Sequence, residues 1–352
     1  MKKTAVVYSP NYLAHNTGLD CPESSLRLQA IMRGIERTAL LKSRNPVLIE
    51  PRPASPDELQ LVHSHEYISL VKRVSRKGGG YLDENTTVSR ESYEVARLAS
   101  GGAIKAVCKV MTEEFRNAFA LVRPPGHHAG ARHAMGFCIF NNVALAAAYL
   151  LARFGLQRVL VFDIDAHHGN GTQETFYSTD RVLYISLHED PSLFPRTGFM
   201  NETGMGQGSG FTVNVPFPFG TGDPSYWNAV KAIAMPIAMQ YKPQFILVSA
   251  GFDGYYRDDV GELSLSAYIY PRIFRAILDL AHKLSKDRVV AVLEGGYCPS
   301  FLEKIVPGIV AQMTGLEVRV RDRRPYLDLE AQKRAERVVR RVRAVQSSFW
   351  TL

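Results

Sequence analysis

Cysteine is scarce. Cys21, Cys108, Cys138 and Cys298 are scattered through 352 residues with no CxxC pair, which argues against a disulfide framework and against a thiolate metal site. Long apolar runs are missing too: the longest, 143–152, has ten residues, about half of the roughly 20 a membrane helix needs. Met1, Lys2 and Lys3 carry the charge of a secretion signal, but the apolar stretch behind them, 5–8, stops at Pro10, too short for the core of such a signal. A cytoplasmic protein without a membrane partner is therefore expected. Repeats of roughly 20 to 50 residues and low-complexity linkers are absent as well, so nothing divides the chain into independent units.

What is present is ordinary globular material. Hydrophobic residues make up 46% and charged residues 22%, which disfavours disorder, collagen and coiled coil. The formal charge is +8, but residues 317–352 alone hold ten Lys/Arg against five Asp/Glu. The body is only mildly basic, and this weakens a nucleic-acid reading. The expected organisation is a main domain over 1–316 and a basic extension over 317–352. Within the extension, 331–345 reads as a helix with Arg334, Val338, Arg341 and Val345 forming a weak stripe. Such a helix packs on the domain or on a neighbouring subunit of a homo-oligomer. Contact of Arg323, Arg324, Arg340 and Arg341 with nucleic acid or a membrane surface is the other reading.

Short β-branched runs recur, each ending in a polar or glycine-rich turn and followed by an apolar segment with helical spacing. Strands are expected over 4–9, 47–50, 118–122, 158–162, 182–187, 211–215, 245–249 and 289–293. Most are continuous apolar runs, the mark of strands covered on both faces. Helices are expected over 24–41, 89–114, 141–154, 224–240, 266–286 and 301–313. The alternation predicts an α/β protein with an open, mostly parallel sheet between helical layers. Ligands of such sheets bind outside the carboxyl ends of the strands.

Four of those ends carry unusual residues: Arg123-Pro-Pro-Gly-His127-His128-Ala129, Asp163-Ile-Asp165-Ala-His167-His168-Gly169-Asn170-Gly171, Ala250-Gly-Phe-Asp253, and Glu294-Gly295-Gly296-Tyr297. In an extended segment Asp165 and His167 face one side and grip one ion, with Asp253 as the best third ligand. Two carboxylates, one imidazole and an open position suit zinc; iron(II) fits the same donors. His127 and His128 need tight turns to reach a common point, which Pro124, Pro125 and Gly126 provide. They supply acid and base at neutral pH. The glycines before Tyr297 bring its hydroxyl toward an oxyanion. Together these groups describe metal-assisted hydrolysis of an amide or ester.

The same segments, with Gly136-Phe137-Cys138-Ile-Phe-Asn-Asn142 between the first and second, resemble the histone deacetylase family in motif and order. Weaker matches are Cys21-Pro-Glu-Ser24 with Arg27, Val62-His-Ser-His-Glu-Tyr67 and Ser186-Leu-His188. The resemblance spans roughly residues 4–315. It implies the three-layer arginase/deacetylase α/β fold with an eight-stranded sheet. It also implies zinc on Asp165, His167 and Asp253. His128 is then the general base, His127 its electrostatic partner, and Tyr297 the group that polarises the acyl carbonyl. Asp163 matches the carboxylate behind the first histidine and Asn170 the partner of the second. Asn there, where class I members carry Asp, is class II-like and leaves His128 without an anionic neighbour. Potassium is implied at Asp163, Asp165, His167, Ser186 and Leu187, and at a second site that includes Phe176, Thr179 and Val182.

Phe137 and Phe194 match the aromatic pair lining the family's acyl-lysine tunnel, and Gly136 the carbonyl that meets the substrate amide; a core role for Phe194 stays open. Arg27 matches an arginine below the active site, with a helix-surface charge as the other reading. Polyamine-selective relatives place a glutamate seven residues after the third ligand, where this chain has Val260. That favours acyl-lysine in a protein or peptide, while Asp20, Glu23, Asp83 and Glu84 could form an acidic rim that keeps acetylpolyamines and other small acetylamines open. Two further readings are a dimanganese ureohydrolase, which needs a second aspartate-rich cluster, and a silent binding protein, which would have lost a ligand, base or tyrosine.

Overall fold

A computed structural model describes residues 3–38, 40–43, 45–316 and 321–352. Ten strands are present among them: β1 (Lys3–Val7), β2 (Val47–Ile49), β3 (Gly79–Tyr81), β4 (Thr87–Ser89), β5 (Phe115–Ala120), β6 (Val159–Asp163), β7 (Val182–Glu189), β8 (Thr212–Phe217), β9 (Phe245–Ala250) and β10 (Val289–Leu293). Eight form one sheet in the order β2-β1-β5-β10-β9-β6-β7-β8. Every neighbouring pair in it is parallel. The expected α/β architecture is therefore present, with a sheet that is wholly parallel. All residues of β6, β7, β8, β9 and β10 are buried, as continuous apolar strands between two helical layers must be.

The helices are α1 (Leu26–Arg37), α2 (Pro56–Leu59), α3 (His65–Arg76), α4 (Ser92–Met111), α5 (Asn142–Arg153), α6 (Asn170–Phe176), α7 (Asp223–Ala229), α8 (Met235–Tyr241), α9 (Ile269–Leu284), α10 (Pro299–Met313) and α11 (Leu329–Gln346). α4 packs on β1, β5 and β10, and α5 on β6 and β9. α10 packs on β1 and β5 and also on α1 and α9; α9 in turn rests on β9. α7 and α8 are joined by a π turn, Val230–Ala234, where the sequence pattern suggests one unbroken helix.

Other elements also depart from the sequence pattern. β5 starts three residues before the apolar run because Asn117 is buried and donates to Met313 O at 3.1 Å, so a polar residue sits inside the strand. α3 carries buried Tyr67, Ile68, Val71 and Ser75 on one face, with Ser64 Oγ accepting from Tyr67 N at 3.2 Å. α6 starts inside the Gly-Asn-Gly sequence that reads as a turn. A small antiparallel pair, β3 with β4, lies outside the main sheet.

α11 packs against α7 and the edge strand β8. Its buried stripe is Ala331, Ala335, Val339, Val342 and Gln346, not the Arg334-Val338-Arg341-Val345 row expected from sequence; Arg334 and Arg341 are exposed. The stripe is set by contact with β8, where small and β-branched residues fit closely. Gln346 Nε2 donates to Thr212 O at 3.2 Å and Trp350 Nε1 to Gly210 O at 2.8 Å. The expected boundary at 316/317, and Arg319, adjoin or fall in 317–320, outside the described residues.

Candidate active site

The strand order explains the convergence. β5, β10, β9 and β6 are consecutive neighbours at the middle of the sheet, so the four unusual strand ends open side by side on one carboxyl edge. Among the described residues, Asp165, His167 and Asp253 place one possible ligand atom each within 4.8 Å of one another. His167 Nδ1 lies 3.0 Å from Asp253 Oδ2 and 3.4 Å from Asp165 Oδ1.

The local cause differs from the sequence expectation. β6 ends at Asp163, so Asp165 and His167 stand on a loop and not on an extended strand. Side-chain caps shape that loop: Asp163 Oδ1 accepts from Asp165 N at 3.1 Å, and Asp165 Oδ1 from His167 N at 3.0 Å. Asp253 Oδ1 accepts from Ala166 N at 2.8 Å, tying the end of β9 to the same loop. Short polar side chains that bond their own backbone are suited to such turns.

The three donors fit a divalent cation. Two carboxylates and an imidazole with little access to water call for a compensating charge. Burial, with His127 and His167 opposing it, leaves Asp165 ionised well below the usual carboxylate range. Burial and the charge of Asp165 together push Asp253 up, a repulsion that a cation between them relieves. Space is reserved as well. A Cβ on Gly295 would stand 2.5 Å from Asp253 Oδ2 and 2.6 Å from Asp165 Oδ2, and Gly295 N donates to Asp165 Oδ2 at 2.8 Å. One other close group, His127, Cys138 and Glu294, contains no aspartate.

The histidine pair is brought together by a turn in which Ala129 N donates to Gly126 O at 3.0 Å, leaving ring centroids 4.0 Å apart. Glu294, at the end of β10, accepts from Gly126 N at 2.7 Å and His127 N at 3.2 Å. Asn141 and Asn142 brace the loop from the far side, donating to Ala129 O and Pro124 O. His127 Nδ1 donates to Asp163 Oδ2 at 3.1 Å, and Tyr184 Oη donates to the same oxygen at 3.1 Å. Burial opposes a charge on His127, yet the carboxylates of Asp165 and Asp163 push it up to about 10. His128 Nδ1 donates to Asn170 Oδ1 at 2.7 Å. Burial, then the charges of His127 and His167, drive His128 well below its ordinary value. One ring is thus biased toward imidazolium and its neighbour toward the neutral form.

Tyr297 follows Gly296, whose φ is +114°, a conformation side chains rarely adopt. Arg27 is buried under it, with its guanidinium 4.9 Å from the phenol ring centre. Arg27 Nε donates to Gly296 O at 2.6 Å and a terminal nitrogen donates to Glu294 O. Arg27 is therefore no helix-surface charge. Burial raises the Tyr297 phenol well above its usual range despite Arg27, so the hydroxyl keeps its proton and remains a donor.

His128, His167 and Tyr297 share a cavity of about 350 Å³ with Gly136, Phe137, Phe194 and Val260. The Phe194 ring is 5.0 Å from His128 and 5.8 Å from His167, and Phe137 is 5.7 Å from Tyr297. Gly136 has φ +54°, and a Cβ there would come within 2.6 Å of His128 and 2.9 Å of Phe194. Glu189, Asp190 and Glu262 also line this cavity. The acidic rim expected from sequence needs correction: Glu23 is fully buried, bonded to Arg27 and Arg123 at 2.9 Å each, because two guanidinium groups draw it inward. Ser186 and Leu187 are buried on β7, and Asp163, the last residue of β6, pairs with Ser186 between the two strands. Phe176 ends α6, while Thr179 and Val182 lie in the turn to β7 and at its start.

Residues 21–313 match the family model described as histone deacetylase domain. The chain belongs to the histone deacetylase family. It is 40% identical to a "probable deacetylase" of Archaeoglobus fulgidus over 99% of this chain and 98% of that protein. It is 39% identical to the human "polyamine deacetylase HDAC10" over 84% of this chain and 45% of that protein. The crystal structure of the HDA15 HD domain superposes with a TM-score of 0.89 at 34% identity, covering 99% of this chain and 96% of that one. The chain thus has the fold and the amidohydrolase chemistry of histone deacetylases. Among the described residues no helix is long and apolar enough to cross a membrane.

Proposed function

We propose that this chain is a mononuclear zinc amidohydrolase that removes acetyl groups from lysine side chains of proteins or peptides. The reading rests on the single cavity that His128, His167 and Tyr297 share above two aspartates. Asp165, His167 and Asp253 would hold the zinc, which when bound supplies Lewis acidity to the acyl carbonyl and to a water; iron(II) suits the same donors. Neutral His128 takes the proton of the attacking water and returns it to the leaving amine. His127, held toward the cationic form, places positive charge beside the developing oxyanion. Tyr297 donates its phenol proton in a hydrogen bond to that oxygen as charge grows on it. Phe137 and Phe194 flank an unbranched arm, Val260 keeps one wall apolar, and the Gly136 carbonyl accepts from the substrate amide. Asp163, Asp165, His167, Ser186 and Leu187, and separately Phe176, Thr179 and Val182, would hold potassium, which supplies fixed positive charge beneath the site.

A second reading, hydrolysis of acetylpolyamines or similar small acetylamines, is favoured by one observation: the carboxylates of Glu189, Asp190 and Glu262 line the same cavity as Val260. Purified chain assayed against an acetyl-lysine peptide and an N-acetylated polyamine, with metal analysis of the same sample, separates the two. The expected result is one zinc per chain and a higher kcat/KM for the peptide. The reverse ranking installs the second reading, and two manganese ions per chain with ureohydrolase activity would overturn both.

A further inference from the structure

His167 is bracketed by carboxylates on both of its ring nitrogens. Nδ1 faces Asp253 and Asp165, while Nε2 lies 3.5 Å from Glu189 Oε1. Glu189 is the last residue of β7, and its side chain is only 8% exposed. Two hydrogen bonds fix it. Its backbone N donates to Ala166 O at 2.8 Å, inside the loop that carries Asp165 and His167. Its Oε2 accepts from Glu262 N at 2.6 Å, on the segment that follows Asp253. That segment packs tightly on the same loop: a Cβ on Gly261 would come within 2.2 Å of Asp253 O and 3.0 Å of Ala166 Cβ. One carboxylate therefore joins the end of β7, the loop after β6 and the loop after β9, with its remaining oxygen turned to the outer nitrogen of the ring.

A neutral imidazole carries one N–H, and only the other nitrogen can bind a cation. The partner of the far nitrogen decides which tautomer is present and how the ring is turned. We propose that Glu189 is a positioning residue for the metal centre: it accepts the Nε2–H of His167 and so presents Nδ1 to the cation held with Asp165 and Asp253. This rests on the metal-site reading given above. It assigns Glu189 to the ring of His167, although the residue also forms part of the cavity wall.

The test uses full-length chain stripped of metal and titrated with zinc in competition with a chromophoric chelator, alongside the melting temperature of the metal-free protein. E189L is expected to weaken zinc binding by about 10- to 100-fold, the effect typical of lost outer partners of metal-bound histidine. E189Q, which keeps an acceptor oxygen at the same reach, is expected to restore most of that loss, with metal-free melting temperatures matching the parent. The inference is overturned if E189L binds zinc like the parent, if E189Q binds no better than E189L, or if E189L changes only the KM for cationic substrates. A parent chain that binds no zinc, or whose binding is untouched by D253A, brings down the metal-site reading and this inference with it; normal parent binding with an unaffected E189L brings down the inference alone.

Discussion

Asn170 gives the His128 ring a carbonyl to donate to and no charge to favour its protonation. Burial and two neighbouring imidazoles then hold His128 neutral, the state a general base needs. Asn170→Asp places an anion at that oxygen and favours the imidazolium. Because the proposed base would work only when deprotonated, the acidic limb of the kcat/KM profile should move to higher pH. A profile measured across the acid range that keeps its limb in place would refute the assignment. Tyr297→Phe removes a donor that burial keeps protonated. Its expected cost is a fall in kcat of about 10²- to 10³-fold, by analogy with loss of one oxyanion donor, with KM nearly unchanged. Steady-state kinetics on an acetyl-lysine peptide checks this. His128 and Tyr297 were legible because their segments follow apolar runs that end in turns, and Asn170 because its segment resembles the deacetylase motif. Glu189 and Glu262 were not: they enter the site through the ends of β7 and of a loop, and nothing in their own sequence neighbourhoods marks a partner elsewhere in the chain.

Elements place these groups through a few cross-strand ties. Glu294 at the end of β10 accepts two backbone N–H groups from the turn after β5, so it sets the height of the histidine pair above the sheet. Glu294→Ala leaves both donors buried without that acceptor. Stability should fall by about 1–3 kcal/mol, the usual cost of an unsatisfied buried group, and kcat should fall with it. Urea unfolding and turnover on the same sample test the pairing of the two losses, and Glu294→Gln, which retains an acceptor, should recover part of each. At this scale the strands were readable wherever both faces are buried, since continuous apolar runs have no other soluble home. β10 matches its sequence range residue for residue, whereas β5 does not, because Asn117 is satisfied by a carbonyl of α10 that only tertiary structure supplies. α3 was readable in principle: Tyr67, Ile68, Val71 and Ser75 follow helical spacing behind the Ser64 cap. α6 was not, since Gly-Asn-Gly favours a turn on local grounds.

For the molecule as a whole, the consecutive placement of β5, β10, β9 and β6 turns four distant sequence segments into one site, while buried ion pairs brace the chain beside it and a helix covers the β8 edge. At the N-terminal side, Glu23 lies between Arg27 and Arg123 with all three side chains buried, and Arg123 also donates to the carbonyls of Tyr12, His15 and Glu23. Breaking a buried pair strands its partners, at about 3–5 kcal/mol, so Glu23→Ala should lose activity through loss of folded protein. At the far side β8 has a strand neighbour only on β7, and α11 covers it through Ala335, Val339 and Val342 while its arginines point outward. An uncovered parallel edge would pair with other chains. The basic charge of the tail and its packing role are therefore separable. Val339→Asp buries a carboxylate with no counter-charge on that face of α11 and should lower the melting temperature and promote aggregation. Arg340→Ser, on the exposed face, should stay within about 0.5 kcal/mol of the parent. Thermal melts with light scattering compare the two, and equal behaviour would mean that α11 is an appendage and not a part of the domain.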